Sequence, residues 1–193
     1  MPAPIFSQSI DELLQTLEAT RAIANAVSSA ETTILQSLRR GGKLLTCGNG
    51  GSAADALHLA EELVGRFKND RRALPAICLN ADVTALTCIG NDYGFDAIFS
   101  RQAEALGKPG DVLVGFSTSG NSRNVNAAFE TARRHGITTI LLSGRDGGAA
   151  RSLVDHPLIV PSQTTARIQE VHTLILHQWL EAIDAADWSS LDS

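Results

Sequence analysis

Thr46-Cys47-Gly48-Asn49-Gly50-Gly51-Ser52 follows the apolar pair Leu44-Leu45 and runs directly into a helical pattern over 53–63. The order is strand, glycine turn, helix start. Glycines let the backbone turn with positive φ and bring an anion close to the main chain. The helix start adds unpaired N–H groups and the positive end of its dipole. A second stretch repeats the plan: Ser117-Thr118-Ser119-Gly120-Asn121-Ser122 follows Val112-Leu113-Val114-Gly115-Phe116. Hydroxyls replace most of the glycines there, and hydroxyls with turn amides suit a phosphate monoester or a sugar. Either loop alone also reads as an ordinary βα turn. Neither fits the dinucleotide fingerprint, which needs a third glycine near Ala53 and an acid about 20 residues on. Neither ends in the Gly-Lys-Ser/Thr of a nucleotide P-loop. Two such loops point to one small phosphorylated ligand.

Outward from these loops the chain alternates. Strands are expected at 43–47, 75–79, 111–116, 138–143 and 157–160. Helices are expected at 53–66, 83–89, 97–106, 122–135, a short 147–154, and a last one from about 164 to 185. Short apolar strands separated by helices predict an α/β fold with a parallel sheet covered on both faces. Such sheets bind ligands at the carboxyl ends of their strands, so the two loops can converge on one pocket. The first forty residues read as a helical hairpin. Ser9-Ile10-Asp11-Glu12 and Ser28-Ser29-Ala30-Glu31 match the capping box of a helix start, and Gly41-Gly42 closes the second helix. Ile10, Leu13, Leu14 and Leu17 form an apolar stripe that needs something to pack on.

At 193 residues the chain is expected to form one domain, 1–193, with 1–41 as a leading helical segment. Hydrophobic content of 44% and charged content of 19% are those of a globular protein. A net charge of −5, from 16 basic against 21 acidic residues, gives no electrostatic case for nucleic acid or an anionic membrane. With no long apolar window and no signal-peptide pattern, a cytoplasmic location is expected. Cys47, Cys78 and Cys88 have no metal or redox spacing and read as buried thiols, with a nucleophilic Cys47 as the minor alternative.

His58 and Glu62 stand four apart on the helix after the first loop, on one face. A histidine and a carboxylate so placed can hold a metal ion, pair an acid with a base, or form a plain solvated ion pair. Glu61 should point elsewhere. The last helix carries Gln169, Glu170, His172 and His177. Gln169 and His177 fall within about 80° of each other, whereas His172 and His177 are about 140° apart, so one histidine alone can join Gln169 in a common site. Gly90-Asn91-Asp92-Tyr93-Gly94 reads as a polar turn, either capping the helix at Ala97 or gripping sugar hydroxyls. His135 and His156 are not assigned to chemistry.

Taken together, residues 47–52, His58-Leu59-Ala60-Glu61-Glu62, 90–95, 117–122, and Arg167-Ile168-Gln169-Glu170 with His177 resemble the sedoheptulose 7-phosphate (phosphoheptose) isomerases of the sugar isomerase, or SIS, superfamily. The resemblance covers essentially the whole chain. It implies a five-stranded parallel α/β/α sandwich, assembled as a homotetramer with active sites at subunit interfaces. It implies an aldose–ketose isomerase that takes sedoheptulose 7-phosphate to D-glycero-D-manno-heptose 7-phosphate for ADP-heptose and lipopolysaccharide synthesis. One zinc per subunit would be held by His58, Glu62, Gln169 and His177. Substrate contacts would come from Asn49, Gly50, Gly51, Ser52, Glu62, Asn91, Asp92, Ser117, Thr118, Ser119, Ser122 and Gln169. Ala53-Ala54 replace a His-Cys pair of some enterobacterial members and touch no ligand position.

In that reading Glu62 is the base and His177 the acid of an enediol mechanism. The rival is a non-catalytic SIS tetramer that binds the bacterial replication initiator. The complete His58, Glu62, Gln169 and His177 set, with Gly51 in the first loop, favours the enzyme.

Overall fold

The short apolar runs form five strands: β1 (Leu44–Gly48), β2 (Ala76–Cys78), β3 (Val112–Ser117), β4 (Thr138–Gly144) and β5 (His156–Val160). The computed structural model describes residues 5–189. Every pairing is parallel, and the order across the sheet is β2-β1-β3-β4-β5. The helices are α1 (Ile5–Thr20), α2 (Ala24–Arg39), α3 (Gly51–Val64), α4 (Val83–Tyr93), α5 (Ser100–Leu106), α6 (Arg123–Arg134) and α7 (Thr165–Ala185).

Alternation along the central strands sorts the core into two layers. Leu44, Val112, Val114, Ile140 and Leu142 face the layer built by α2, α3 and α7. Leu45, Cys47, Leu113 and Leu141 face the layer of α5 and α6. A one-residue slip of any strand would exchange these sets, so the register is fixed by both layers at once.

The leading segment differs from the expected hairpin. A single 3-10 turn, Arg21–Ile23, joins α1 to α2, with no loop in which the chain could reverse. The pair is a kinked run, and α1 lies against α7. The two capping boxes fall inside helices. Ser9 lies within α1, where its carbonyl accepts from Arg167 Nη1 at 2.6 Å, and Ser28 lies within α2. A capping serine needs a non-helical backbone, which an interior position denies it. The turn expected at 90–94 is also corrected: residues 90–93 continue α4, which ends at Gly94 with φ 87°. Cys47 and Cys78 are buried as expected, but Cys88 on α4 is exposed.

Candidate active site

β1 and β3 are neighbours, yet their following helices leave in opposite directions, α3 into one core layer and α6 into the other. That divergence opens a crevice at the carboxyl ends of the two strands. Both sequence-predicted loops lie there.

The two loops are tied together by their own amides. Asn49 Nδ2 donates to Asn124 Oδ1 at 2.9 Å, and Asn124 Nδ2 donates back to Asn49 Oδ1 at 2.9 Å. Asn80 braces the first loop from the other side, accepting from the Gly48 amide at 3.1 Å and donating to its carbonyl at 2.9 Å. In the second loop Ser117 Oγ donates to Ser122 Oγ at 3.1 Å. Gly120 has φ 65° and sits so close to the Gly147 carbonyl that a Cβ would stand 1.8 Å from it. Ser122 caps α6 without a side-chain bond; the Val125 amide is taken by Asn124 Oδ1 at 3.0 Å, which leaves the Arg123 and Asn124 amides at the helix start for an anion. Hydroxyls and helix-start amides so placed suit an anion.

The seam between α3 and α7 carries the other candidates. A Cβ on Gly51 would meet Gln169 Nε2 at 2.5 Å, so glycine is what lets the amide sit against the first loop. One turn on, the Thr173 hydroxyl donates to Asp55 Oδ1 at 3.0 Å. One turn further, the His58 and His177 rings meet edge to face with centroids 5.0 Å apart. His58 Nε2 lies 3.5 Å from Glu62 Oε1. Phe67 stacks on His177 at 5.5 Å, and Arg71 donates to the Glu62 and Leu63 carbonyls while pairing with Asp184 at 3.0 Å.

Glu61 requires a correction. Its carboxylate lies with the His58 imidazole and the Glu62 carboxylate in one group whose ligand atoms are within 4.8 Å of one another. An exposed, flexible side chain at 61 can swing back over the turn that holds 58 and 62. The angles along α7 leave room for one histidine beside Gln169, and His172 is the one left out. It is fully buried, its ring in contact with Phe116 and its Nε2 at 3.2 Å from the Ser143 carbonyl. Burial lowers its pKa to about 4, opposed by that backbone bond, so it stays neutral. Burial likewise raises the Asp55 carboxyl, with Thr173 and His58 pulling the other way. Cys47 is wholly buried and its thiol is pushed far up by desolvation, which removes it as a nucleophile.

The SIS domain family model matches residues 6–144. The phosphoheptose isomerase of Geobacter sulfurreducens is 57% identical over 166 residues, 86% of this chain and 87% of the relative. The chain belongs to the phosphoheptose isomerase family. The solved phosphoheptose isomerase of Neisseria gonorrhoeae superposes with a TM-score of 0.89 at 44% identity, covering 94% of this chain and 97% of that one. That of Francisella tularensis gives 0.91 at 38% identity, with the same coverage.

Within this phosphoheptose isomerase fold, the predicted residues divide into two groups. Asn49–Ser52, Ser117–Ser122, His58, Glu62, Gln169 and His177 share the crevice and its adjoining seam. Asn91 and Asp92 stand apart at the exposed end of α4. Asn91 Nδ2 donates to Asp92 Oδ1 at 2.7 Å, and Asp92 Oδ2 accepts from Cys88 Sγ at 3.8 Å, one turn back on the same helix. Sequence reasoning missed Asp55, Asn80, Asn124 and Thr173. A lone amide or acid in a helix carries no sequence signal until the partner's place in the sheet order is known.

Proposed function

We propose that this chain interconverts sedoheptulose 7-phosphate and D-glycero-D-manno-heptose 7-phosphate through an enediol. The observation that carries the reading is the meeting of His58, Glu62 and His177, with Gln169 one turn away, beside two anion-binding loops at the switch point of the sheet. The second loop, through Ser117, Thr118, Ser119, Ser122 and the α6 amides, takes the terminal phosphate, because a dianion gains most from fixed donors at a helix N-terminus. The first loop, Asn49 to Ser52, faces the sugar. Asn49 ties its side chain to Asn124, which fixes its place in the loop.

Two imidazoles, a carboxylate and an amide are a nitrogen–oxygen donor set suited to zinc. His58, Glu62, Gln169 and His177 would hold it, one per subunit, and Gly51 leaves the amide its place. A zinc ion held there would supply Lewis-acid polarisation of the substrate carbonyl. Glu62 removes the C1 proton of the ketose, and His177 handles the proton on the opposite side. Proton transfer by a positioned side chain is worth about 10²–10⁴-fold.

The reading includes a homotetramer, with 1–41 and α4 at subunit boundaries, one SIS domain over 1–193, and a cytoplasmic setting. Exposed Ile5, Phe6, Leu14, Val83 and Tyr93 support the boundary assignment. No described helix is long and apolar enough to cross a membrane.

The test is turnover of sedoheptulose 7-phosphate by purified protein with its metal content measured. Turnover lost on chelation and restored by zinc is expected. Full activity after metal removal would overturn the zinc assignment, and no turnover in zinc-loaded protein would overturn the isomerase.

A further inference from the structure

Asp55 is 8% exposed, and its two carboxylate oxygens have different fates. Oδ1 accepts from the Thr173 hydroxyl at 3.0 Å, while Oδ2 is shielded from solvent and has no hydrogen-bond partner. A buried carboxylate oxygen without a donor is costly, and native proteins rarely keep one without use. Its position is informative. Residue 55 lies one turn before His58 on α3, and Thr173 lies one turn from both Gln169 and His177 on α7. The Asp55–Thr173 bond therefore joins the helices between the Gly51–Gln169 contact and the His58–His177 contact. His58 turns Nε2 toward Glu62, which leaves Nδ1 to be held by something else. Metal-binding histidines usually donate their second N–H to a carboxylate or carbonyl, which fixes tautomer and ring orientation.

We propose that Asp55 is a positioning residue of the metal centre: Oδ2 receives the Nδ1–H of His58 when Nε2 binds the ion, and Oδ1, through Thr173, sets α7 so that Gln169 and His177 reach the same ion. This rests on the zinc reading above. It assigns the orphaned oxygen a donor and gives Thr173 a task beyond capping its own helix turn.

The test is zinc affinity by chelator competition on the full chain, with the melting temperature of each metal-free protein measured alongside. Asp55→Asn keeps the acceptor for Thr173 but presents an amide where Nδ1–H needs an acceptor. Zinc binding should weaken about 10–100-fold, the usual effect of losing such a partner. The metal-free variant should melt no lower than wild type, since a neutral amide replaces a buried orphan carboxylate. Thr173→Val should weaken zinc about fivefold, the worth of one net hydrogen bond, and decides the case if Asp55→Asn does not fold. Wild-type zinc affinity in Asp55→Asn, or a fall matched by an equal loss of metal-free stability, would overturn the proposal. In the event that Asp55→Asn does not fold, unchanged affinity in Thr173→Val would do the same. A wild-type protein that binds no zinc would overturn the metal reading, and this proposal with it.

Discussion

The α3–α7 seam and the α1 and α4 surfaces are built on opposite plans. In the seam, successive turns are each engaged: Gly51 with Gln169, Asp55 with Thr173, His58 with His177. Past its end Arg71 clamps the last carbonyls of α3 to Asp184 of α7. By contrast α4 has no buried residue, although Val83, Leu86 and Ile89 are apolar. On α1, Ile5 is 83% and Phe6 76% exposed. The polar contacts of the seam are made within one chain, while much apolar surface is left open. Exposed apolar patches of this kind mark surfaces that another molecule covers.

The strongest way to break this contrast is at Glu62. Glu62→Gln keeps the shape and an oxygen for the metal but cannot take a proton, so kcat should fall about 10²–10⁴-fold. Wild-type enzyme should exchange the C1 proton of sedoheptulose 7-phosphate with solvent deuterium, and the variant should not. Exchange at the wild-type rate would reduce Glu62 to a ligand and leave the base to another residue.

A smaller effect tests the open surfaces. Charging two apolar positions of α1, Phe6→Asp with Leu14→Asp, removes contacts worth about 1.5–3 kcal/mol each. Sedimentation at micromolar concentration should show smaller species, with zinc affinity kept because the seam is untouched. A wild-type protein that sediments as a fully active monomer would sink the assembly half of the comparison.

The smallest effect sharpens the seam itself. Burial pushes the Asp184 carboxyl up, but the amides of Asn69 and Lys68 and the Arg71 guanidinium outweigh it and hold it below its ordinary range. A depressed carboxylate stabilises the fold above its unfolded pKa, near 3.9, and the benefit is lost as pH falls through the folded value. Asp184→Asn should therefore cost about 1.5–3 kcal/mol at neutral pH, the worth of hydrogen bonds to a charged group. The gap to wild type in thermal melts should close below about pH 4. An equal gap at pH 3 and pH 7 would show that the charge contributes nothing.

The sheet was legible in the sequence because its strands are apolar runs bounded by turn residues. The loops at 48–52 and 117–122 were legible because glycines and hydroxyls concentrate there. Angular arithmetic along α7 singled out one histidine for Gln169, and the burial of His172 leaves His177. The ligand set as a whole came from resemblance, since nothing in spacing joins residue 62 to residue 169. What stayed hidden depends on sheet order. Asn49 meets Asn124 across 75 positions because β1 lies beside β3, and Asp55 meets Thr173 because α3 and α7 cover the same face. The extension of α4 through Asn91 and Asp92 was missed because a Gly-Asn-Asp run favours turns in isolation. The capping-box matches misled for the converse reason: Ser-x-x-Glu also occurs inside a helix, where the motif has no end to cap.

The bare backbone at Gly51 has a use outside this molecule. A methyl group there would stand 2.5 Å from the Gln169 amide nitrogen, so any larger residue makes that amide shift from its place against the loop. Residue 51 thus works as a sorting mark for chains of this fold. Glycine at that place, with glutamine and histidine eight apart on the final helix, labels a chain able to gather all four donors. A hydroxyl or methyl residue there would mark one whose glutamine amide must lie elsewhere, whatever the remainder of its loop resembles. A catalogue of such sequences could be divided at this single column before any protein is purified.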